Sequence, residues 1–242
     1  KQKMKNKKKF FKRIFNDVKL NKNLPSIDFH IHTNWTDGKN SVKQVYKRSN
    51  SVGLDYMLYS EHSRKSSKGW FKRFHREIKS LQIKNCKPFV GTEVKVLNLN
   101  GDLDLSFANY KLCDLIMASV HRFPGEKDIK KKNKFSTKNK KNAVNTELKL
   151  LLAACKNKKT DIIGHPFGMS IKRFGITPKL SYFEKVIKFA KKNDKVFEIN
   201  LHYHKKIFKK LIKLCLQHNC LMSFGSNAHS LNEIKNLNKI KL

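Results

Sequence analysis

The sequence predicts a closed parallel α/β barrel, and three observations carry that prediction. Strand-like apolar runs alternate with amphipathic helical patterns about seven times along the 242 residues, as in a parallel sheet wrapped in helices. A chain of this length is a usual size for one barrel domain, and its apolar residues, 39% of the total, gather into short runs able to fill an interior. Histidine and carboxylate side chains fall at the C-terminal ends of the strand patterns, which in a barrel converge on the face that holds active sites. An open dinucleotide-binding sheet has little support, because no Gly-x-Gly-x-x-Gly turn follows the first strand.

Residues 1–24 read as a basic arm, in which Phe10, Phe11, Ile14, Phe15 and Val18 suit one face of a short helix packed on the domain rather than on a membrane. The domain itself is expected over 25–242. Ser26 to His32 is the first strand, and Ser41 to Val52 a helix stopped by Gly53. Leu54 to Ser60 is the second strand and runs into Glu61-His62. A helix through Trp70, Phe71, Phe74, Ile78 and Leu81 leads to a third strand, Pro88 to Val96, carrying Glu93. Asn98 to Asn109 reads as loop and Leu112 to Val120 as the fourth strand, ending at His121. A lysine-rich insertion follows at about 125–143, then a helix from Thr146 to Cys155 and a short fifth strand from Asp161 to Gly164. A helix from Pro178, a sixth strand from Val196 to Asn200 and a helix through Ile207, Leu211 and Leu214 come next. Leu221 to Phe224 is the seventh strand, and a last helix is expected after His229.

The stretch Ile27 to Gly38 is the chemical centre of this pattern. Side chains alternate across a strand, so His30 and His32 share a face and make a metal clamp. Asp37 follows a polar turn closed by Gly38 and can bend back toward them. His32, His62, His121, His165 and His229 each lie at or just past the end of a different strand, while Glu93 and Glu198 lie inside two others. The remaining histidines form an internal control: His75 and His218 fall in helices as packing or surface residues, and His202 and His204 in a turn within reach of the cavity rim. Six histidines, Glu93, Asp37 and Asn227 suit two or three ions sharing a carboxylate, and imidazole with carboxylate selects Zn, Mn or Fe over Ca or Mg. No serine or cysteine nucleophile is required, and Ser60 and Ser63 read as local hydrogen-bonding residues.

The series His30-x-His32, Thr36-Asp37-Gly38, Glu61-His62, Gly91-x-Glu93, Ser119-Val120-His121, Gly164-His165-Pro166 and Gly225-Ser226-Asn227-Ala228-His229 resembles the PHP superfamily, the polymerase and histidinol phosphatase metal-dependent phosphoesterases, over about residues 26–230. The resemblance implies a distorted (β/α)7 TIM-like barrel and two or three divalent transition metal ions. It implies one ion held by His30, His32, Glu93 and Asn227, a second by Glu93, His121 and His165, and a third by Asp37, His62 and His229. The implied reaction is hydrolysis of a small phosphomonoester, as in histidinol phosphatases, by a metal-bridged hydroxide at a centre built on Glu93 and His121. Arg122, directly after His121, is the first candidate for gripping phosphate in a forked manner, with Arg64 and Lys95 as further candidates. Glu61 and Glu198 are expected to support the ligands. The family usually has aspartate where Asn227 and Glu61 stand. A nuclease or exonuclease and a non-catalytic metal-binding domain are the alternatives.

The net charge of +36 suggests nucleic acid, but lysine is spread over every element, as a compositional bias would leave it, so a nucleic-acid partner is not favoured. The two densest segments, Lys1 to Lys22 and Lys127 to Lys141, read as solvated, mobile stretches. Five scattered cysteines form no Cys-x-x-Cys pair and point to a reducing cytoplasm. No apolar run approaches the roughly 20 residues that cross a bilayer, so no membrane partner is expected.

Overall fold

The computed structural model describes residues 2–21, 23–67, 69–124 and 137–239. Most of the expected basic insertion, 125–136, therefore lies outside the described residues. Seven parallel strands follow one another in order around the sheet: β1 (Ile27–Ile31), β2 (Tyr56–Glu61), β3 (Lys87–Lys95), β4 (Leu115–Ser119), β5 (Ile162–Ile163), β6 (Val196–Asn200) and β7 (Met222–Gly225). β1 and β7 close the ring where His32 N donates to Ala228 O at 2.9 Å and Ala228 N to His30 O at 3.1 Å. Asp28 strengthens the seam, accepting from Ser226 N at 2.9 Å and Ser226 Oγ at 2.6 Å. The result is a (β/α)7 TIM-like barrel.

β1, β4, β6 and β7 are buried along their whole length, as parallel strands are when helices cover one face and the barrel interior fills the other. The helices α2 (Val42–Ser51), α3 (Trp70–Lys79), α5 (Thr137–Lys156), α7 (Leu180–Lys192) and α9 (Phe208–Gln217) form most of the outer layer. Each presents an apolar stripe at helical spacing: Val42, Val45 and Tyr46 on α2, Phe71, Phe74 and Ile78 on α3, Phe183, Val186, Ile187 and Ala190 on α7. Ser41 begins α2 with a capping box to Gln44.

The arm contains the helix α1 (Gln2–Asn21), whose Phe11, Ile14, Phe15 and Val18 are buried in the same core as the strands. Phe10 stacks on Phe29 at 5.7 Å and meets Tyr56 and Phe89 edge-on, so α1 is seated on β1, β2 and β3.

Several elements differ from the sequence-based expectation. The fourth strand starts only at Leu115, because Ser106 Oγ accepts Asn109 N and caps a short helix, α4 (Phe107–Leu112), over its expected beginning. α5 begins at Thr137 rather than Thr146. A short α6 (Gly168–Phe174) follows His165-Pro166, where buried Glu147 accepts from Met169 N and Ser170 N. α8 (Leu201–His204) sits on Asn200, whose side chain accepts from His202 N at 3.0 Å. In place of the expected last helix the described residues make two 3-10 turns, Leu231–Glu233 and Leu237–Lys239. Asn236 and Asn238 divert that stretch, the first bonding Gly53 O at 2.6 Å and the second Ser26 Oγ at 2.9 Å.

Candidate metal centre

The strand ends deliver six imidazoles to two carboxylates. Buried His30 and His32 project together from β1, and Glu93 rises between them from β3. Glu93 Oε2 lies 3.2 Å from His30 Nε2, 3.5 Å from His32 Nε2 and 3.4 Å from His62 Nδ1. Its Oε1 lies 3.0 Å from His121 Nε2 and 2.7 Å from His165 Nε2. Asp37 forms the outer half of the cluster: Oδ2 lies 3.3 Å from His62 Nε2 and 3.3 Å from His229 Nε2, and Oδ1 lies 3.7 Å from His32 Nδ1. Glu93 is buried, whereas the Asp37 side chain is 50% exposed, so the cluster is sealed below and open at the mouth.

Supporting contacts fix these side chains. Glu198 Oε1 accepts from His30 Nδ1 at 2.8 Å and from Asn200 Nδ2 at 2.9 Å, and its Oε2 accepts from His165 N. With Nδ1 held by Glu198, His30 presents Nε2 toward Glu93. Glu61 accepts from Thr33 N at 2.6 Å and from Thr36 Oγ1, holding the loop that carries Asp37. The same loop is fastened to α3 by Trp35, whose Nε1 donates to Glu77 Oε2 at 2.7 Å and whose ring stacks on Trp70 at 5.9 Å. Gly38 is required there, since a Cβ at that position would stand 2.5 Å from His32 O. Asn227 adopts φ 58°, a left-handed conformation that asparagine tolerates. Its carbonyl accepts from His229 Nδ1 at 2.9 Å.

Burial works against the charge of Glu93, but His121, His30 and His165 outweigh it and hold the carboxyl well below the ordinary range. Asp37 is likewise held down, against burial, by hydrogen bonds to His229 and His62. Burial, reinforced by His30 and His62, keeps His32 neutral by pushing its pKa well below the ordinary value. His30 is raised because Glu198 and Glu93 overcome its burial.

Among the described residues, His30 Nε2 and both ring nitrogens of His32 are buried without a hydrogen-bond partner. Buried ring nitrogens left so are costly, and a cation would take up the lone pair of each neutral ring. The donor set fits divalent metal ions. Its atoms fall into three groups within 4.8 Å: His32, Asp37, His62 and His229; His30, Glu93 and His165; and His62, Glu93 and His121. The grouping is less partitioned than the resemblance implies, with His32 reaching toward Asp37 as well as Glu93 and His62 lying between both carboxylates.

The other sequence candidates are also located. Ser60 Oγ donates to Ile31 O at 3.2 Å, and Ser63 Oγ lies 2.8 Å from Thr92 Oγ1. His218 pairs with Glu184 of α7 at 3.0 Å. His204 is buried beneath the site, its Nδ1 accepting from Asn200 N and its Nε2 donating to Pro166 O. Arg64 is exposed, and Lys95 and Arg122 are half-buried, all just beyond the ligand-bearing positions. Sequence reasoning missed Tyr203, whose ring lies 4.7 Å from that of His165, and the Trp35–Glu77 tie. The only signal for Tyr203 is its place between two histidines directly after the sixth strand.

A parallel barrel with a histidine and carboxylate cluster at the C-terminal ends of its strands defines a metal-site α/β protein. The PHP domain model matches residues 28–202, and the chain belongs to the PHP domain family. It is similar to the DNA polymerase/3'-5' exonuclease PolX of Bacillus subtilis, 28% identical over 182 residues, which is 72% of this chain and 28% of that protein. It is also similar to a probable phosphatase of Thermoanaerobacter sp. (strain X514), 27% identical over 183 residues, covering 72% of this chain and 64% of the relative. The chain thus spans less than two thirds of the length of either relative. Among solved structures, a Listeria monocytogenes protein assigned as a histidinol phosphatase superposes with a TM-score of 0.66 at 16% identity, over 86% of this chain and 97% of that one. The histidinol phosphate phosphatase of Lactococcus lactis, solved with Zn, L-histidinol and phosphate, gives 0.53 at 15%, over 85% and 86%. At these identities the likeness speaks for the fold.

Proposed function

We propose that the protein is a metal-dependent hydrolase of phosphoric esters that acts on a small phosphomonoester. The observation that carries this is Glu93, buried and within 3.5 Å of five imidazoles, in a cluster open to solvent through Asp37. His30, His32, Glu93 and Asn227 would hold one ion, Glu93, His121 and His165 a second, and Asp37, His62 and His229 a third. Two or three Zn, Mn or Fe ions would supply a water activated at neutral pH and neutralise phosphoryl oxygens. The chain's own contribution is orientation and charge. Glu198 fixes the tautomer of His30, Glu61 sets the Asp37 loop, and Arg122, with Arg64 and Lys95 beside it, receives the phosphate oxygens that face away from the cluster. The family relation and the similarity to a probable phosphatase support the reading. Five free, buried cysteines suit a reducing cytoplasm, and no helix among the described residues is long and apolar enough to cross a membrane.

Elemental analysis combined with hydrolysis of 4-nitrophenyl phosphate tests the proposal on the natural protein and on His121→Ala. Two or three transition-metal ions per chain, with turnover that collapses in the variant, are expected. At most one ion, with no hydrolysis of a monoester or diester after metal is added back, would favour a non-catalytic metal-binding domain. The charge of +36 and the similarity to PolX favour a nuclease as the second reading. Single-strand binding that falls steeply with salt, accompanied by strand degradation, would establish it in place of the first.

A further inference from the structure

The mouth of the centre is lined by more positive charge than one phosphate needs. Lys95 ends β3 two residues beyond Glu93, so it shares the face of Glu93 one layer nearer solvent. The β3–β4 register sets Lys95 beside Ser119, three positions before Arg122. Asp104 ties the neighbouring loop to the same place: its N–H donates to Lys95 O at 2.9 Å, and its Oδ1 accepts from Lys65 N at 2.8 Å, with Arg64 adjacent. The loop that carries Arg64 and the end of β4 that leads to Arg122 are therefore both held against the end of β3 that carries Lys95. Arg122 Nε is buried without a hydrogen-bond partner among the described residues.

Three cations held together repel one another, and a half-buried guanidinium with an idle N–H gives up hydration without return. Both penalties vanish when an anion lies among them. The scissile phosphate does not need all three. Two divalent ions set against Asp37, Glu93 and the activated hydroxide would leave about one positive charge, and Arg122 would supply a second, enough for a phosphate monoester carrying about two negative ones at pH 7.

Resting on the phosphoesterase reading, which leaves Arg122 to the scissile phosphate, we infer that the preferred substrate is a phosphate monoester whose leaving group carries a second acidic group, which Lys95 and Arg64 receive at the mouth. A leaving group bearing an ammonium would meet like charge and be disfavoured. The bond broken remains the P–O ester bond, by water, with the second acid untouched.

The test uses the metal-loaded protein and three aryl phosphates of similar leaving-group basicity: 4-methylphenyl phosphate, its 4-phosphonomethyl analogue and its 4-aminomethyl analogue. The phosphonate should exceed the methyl ester in kcat/KM by about tenfold and the ammonium ester by more, with the gap narrowing as salt rises. Lys95→Met should reduce that preference severalfold, while Lys95→Arg retains it. A merely structural lysine would change all three esters alike. Arg64→Gln, on an exposed loop, provides the same comparison without touching a strand. Equal rates for the three esters, preference for the ammonium ester, or a preference that survives both Lys95→Met and Arg64→Gln would overturn the inference and leave the phosphoesterase reading intact. Failure to hydrolyse any of the three would overturn both.

Discussion

Replacing Glu198 by glutamine removes one charge and almost no volume, and so isolates what the buried carboxylate does for the metal ligands. Three donors converge on it: His30 Nδ1 at 2.8 Å, Asn200 Nδ2 at 2.9 Å and the backbone N–H of His165. A glutamine can direct its oxygen to the first two, but its NH2 then faces the His165 N–H, donor against donor. Turned the other way, it confronts His30 and Asn200 instead. At least one charge-assisted hydrogen bond is lost in either orientation, which costs roughly 1.5–3 kcal/mol. At about 2–4 °C per kcal/mol for a chain of this size, the metal-free variant should melt about 3–12 °C below the natural protein. His30 also loses the anion that fixes its tautomer and raises its basicity, so metal affinity should fall about 10–100-fold. Differential scanning of the metal-free proteins and chelator competition for affinity measure the two effects separately. Glu198→Ala should be worse on both counts, because it strands all three donors. If Glu198→Gln melts with the natural protein and holds metal equally tightly, the carboxylate does not orient His30 and the reasoning is wrong.

Burial pushes the His204 pKa from the ordinary 6.5 down to about 4, against its bond to Pro166 O, so the imidazole stays neutral and its Nδ1 can accept from Asn200 N. The stability this provides is complete above about pH 6.5 and lost as pH falls through 4; at about 1.36 kcal/mol per pH unit it amounts to at most about 3 kcal/mol. Urea titrations from pH 7 to 4 should therefore show a smaller loss in His204→Gln than in the natural chain. A Cβ at Gly225 would stand 2.4 Å from Glu198 Oε1 and 2.5 Å from His30 Cβ. Gly225→Ala should thus lower stability by roughly 1–3 kcal/mol and reduce bound metal, read by melting and elemental analysis. Divalent metal at about a hundred times its dissociation constant should add about 2.7 kcal/mol of stability, seen as a rise in Tm that EDTA reverses.

The barrel was legible because its strands are short apolar runs set off by amphipathic helices, and His62, His121 and His165 mark strand ends through sequence position alone. The convergence of these side chains with Asp37 and His229 follows from parallel topology, which the alternation of elements already implies. What stayed hidden depends on contacts between distant residues. The sequence marks Glu198 as a support for the ligands but not His30, 168 positions away, as the ligand it serves, and the Trp35–Glu77 bond joins a loop to a helix with no pattern common to the two. Short elements were misjudged for a local reason. α4, α6 and α8 have too few residues to show helical periodicity and are set by caps, Ser106 for α4 and Asn200 for α8. The asparagines at 236 and 238 spend their side chains on Gly53 and Ser26, which ends helical continuation in a stretch whose leucines suggest it.

The seam between β1 and β7 has a consequence for how the protein matures. His30 and His32 leave the ribosome nearly two hundred residues ahead of Asn227 and His229, and Asp28 waits equally long for Ser226. A growing chain that stops short of β7 has neither a closed ring nor His229, which completes the outer group with His32, Asp37 and His62. The complete set of donors exists only once synthesis has passed the last strand, and a cation held by His229 together with His32, Asp37 and His62 would fasten the two ends of the circle to each other. Partially made or clipped chains are left without the cation's help, which exposes them selectively to proteolysis.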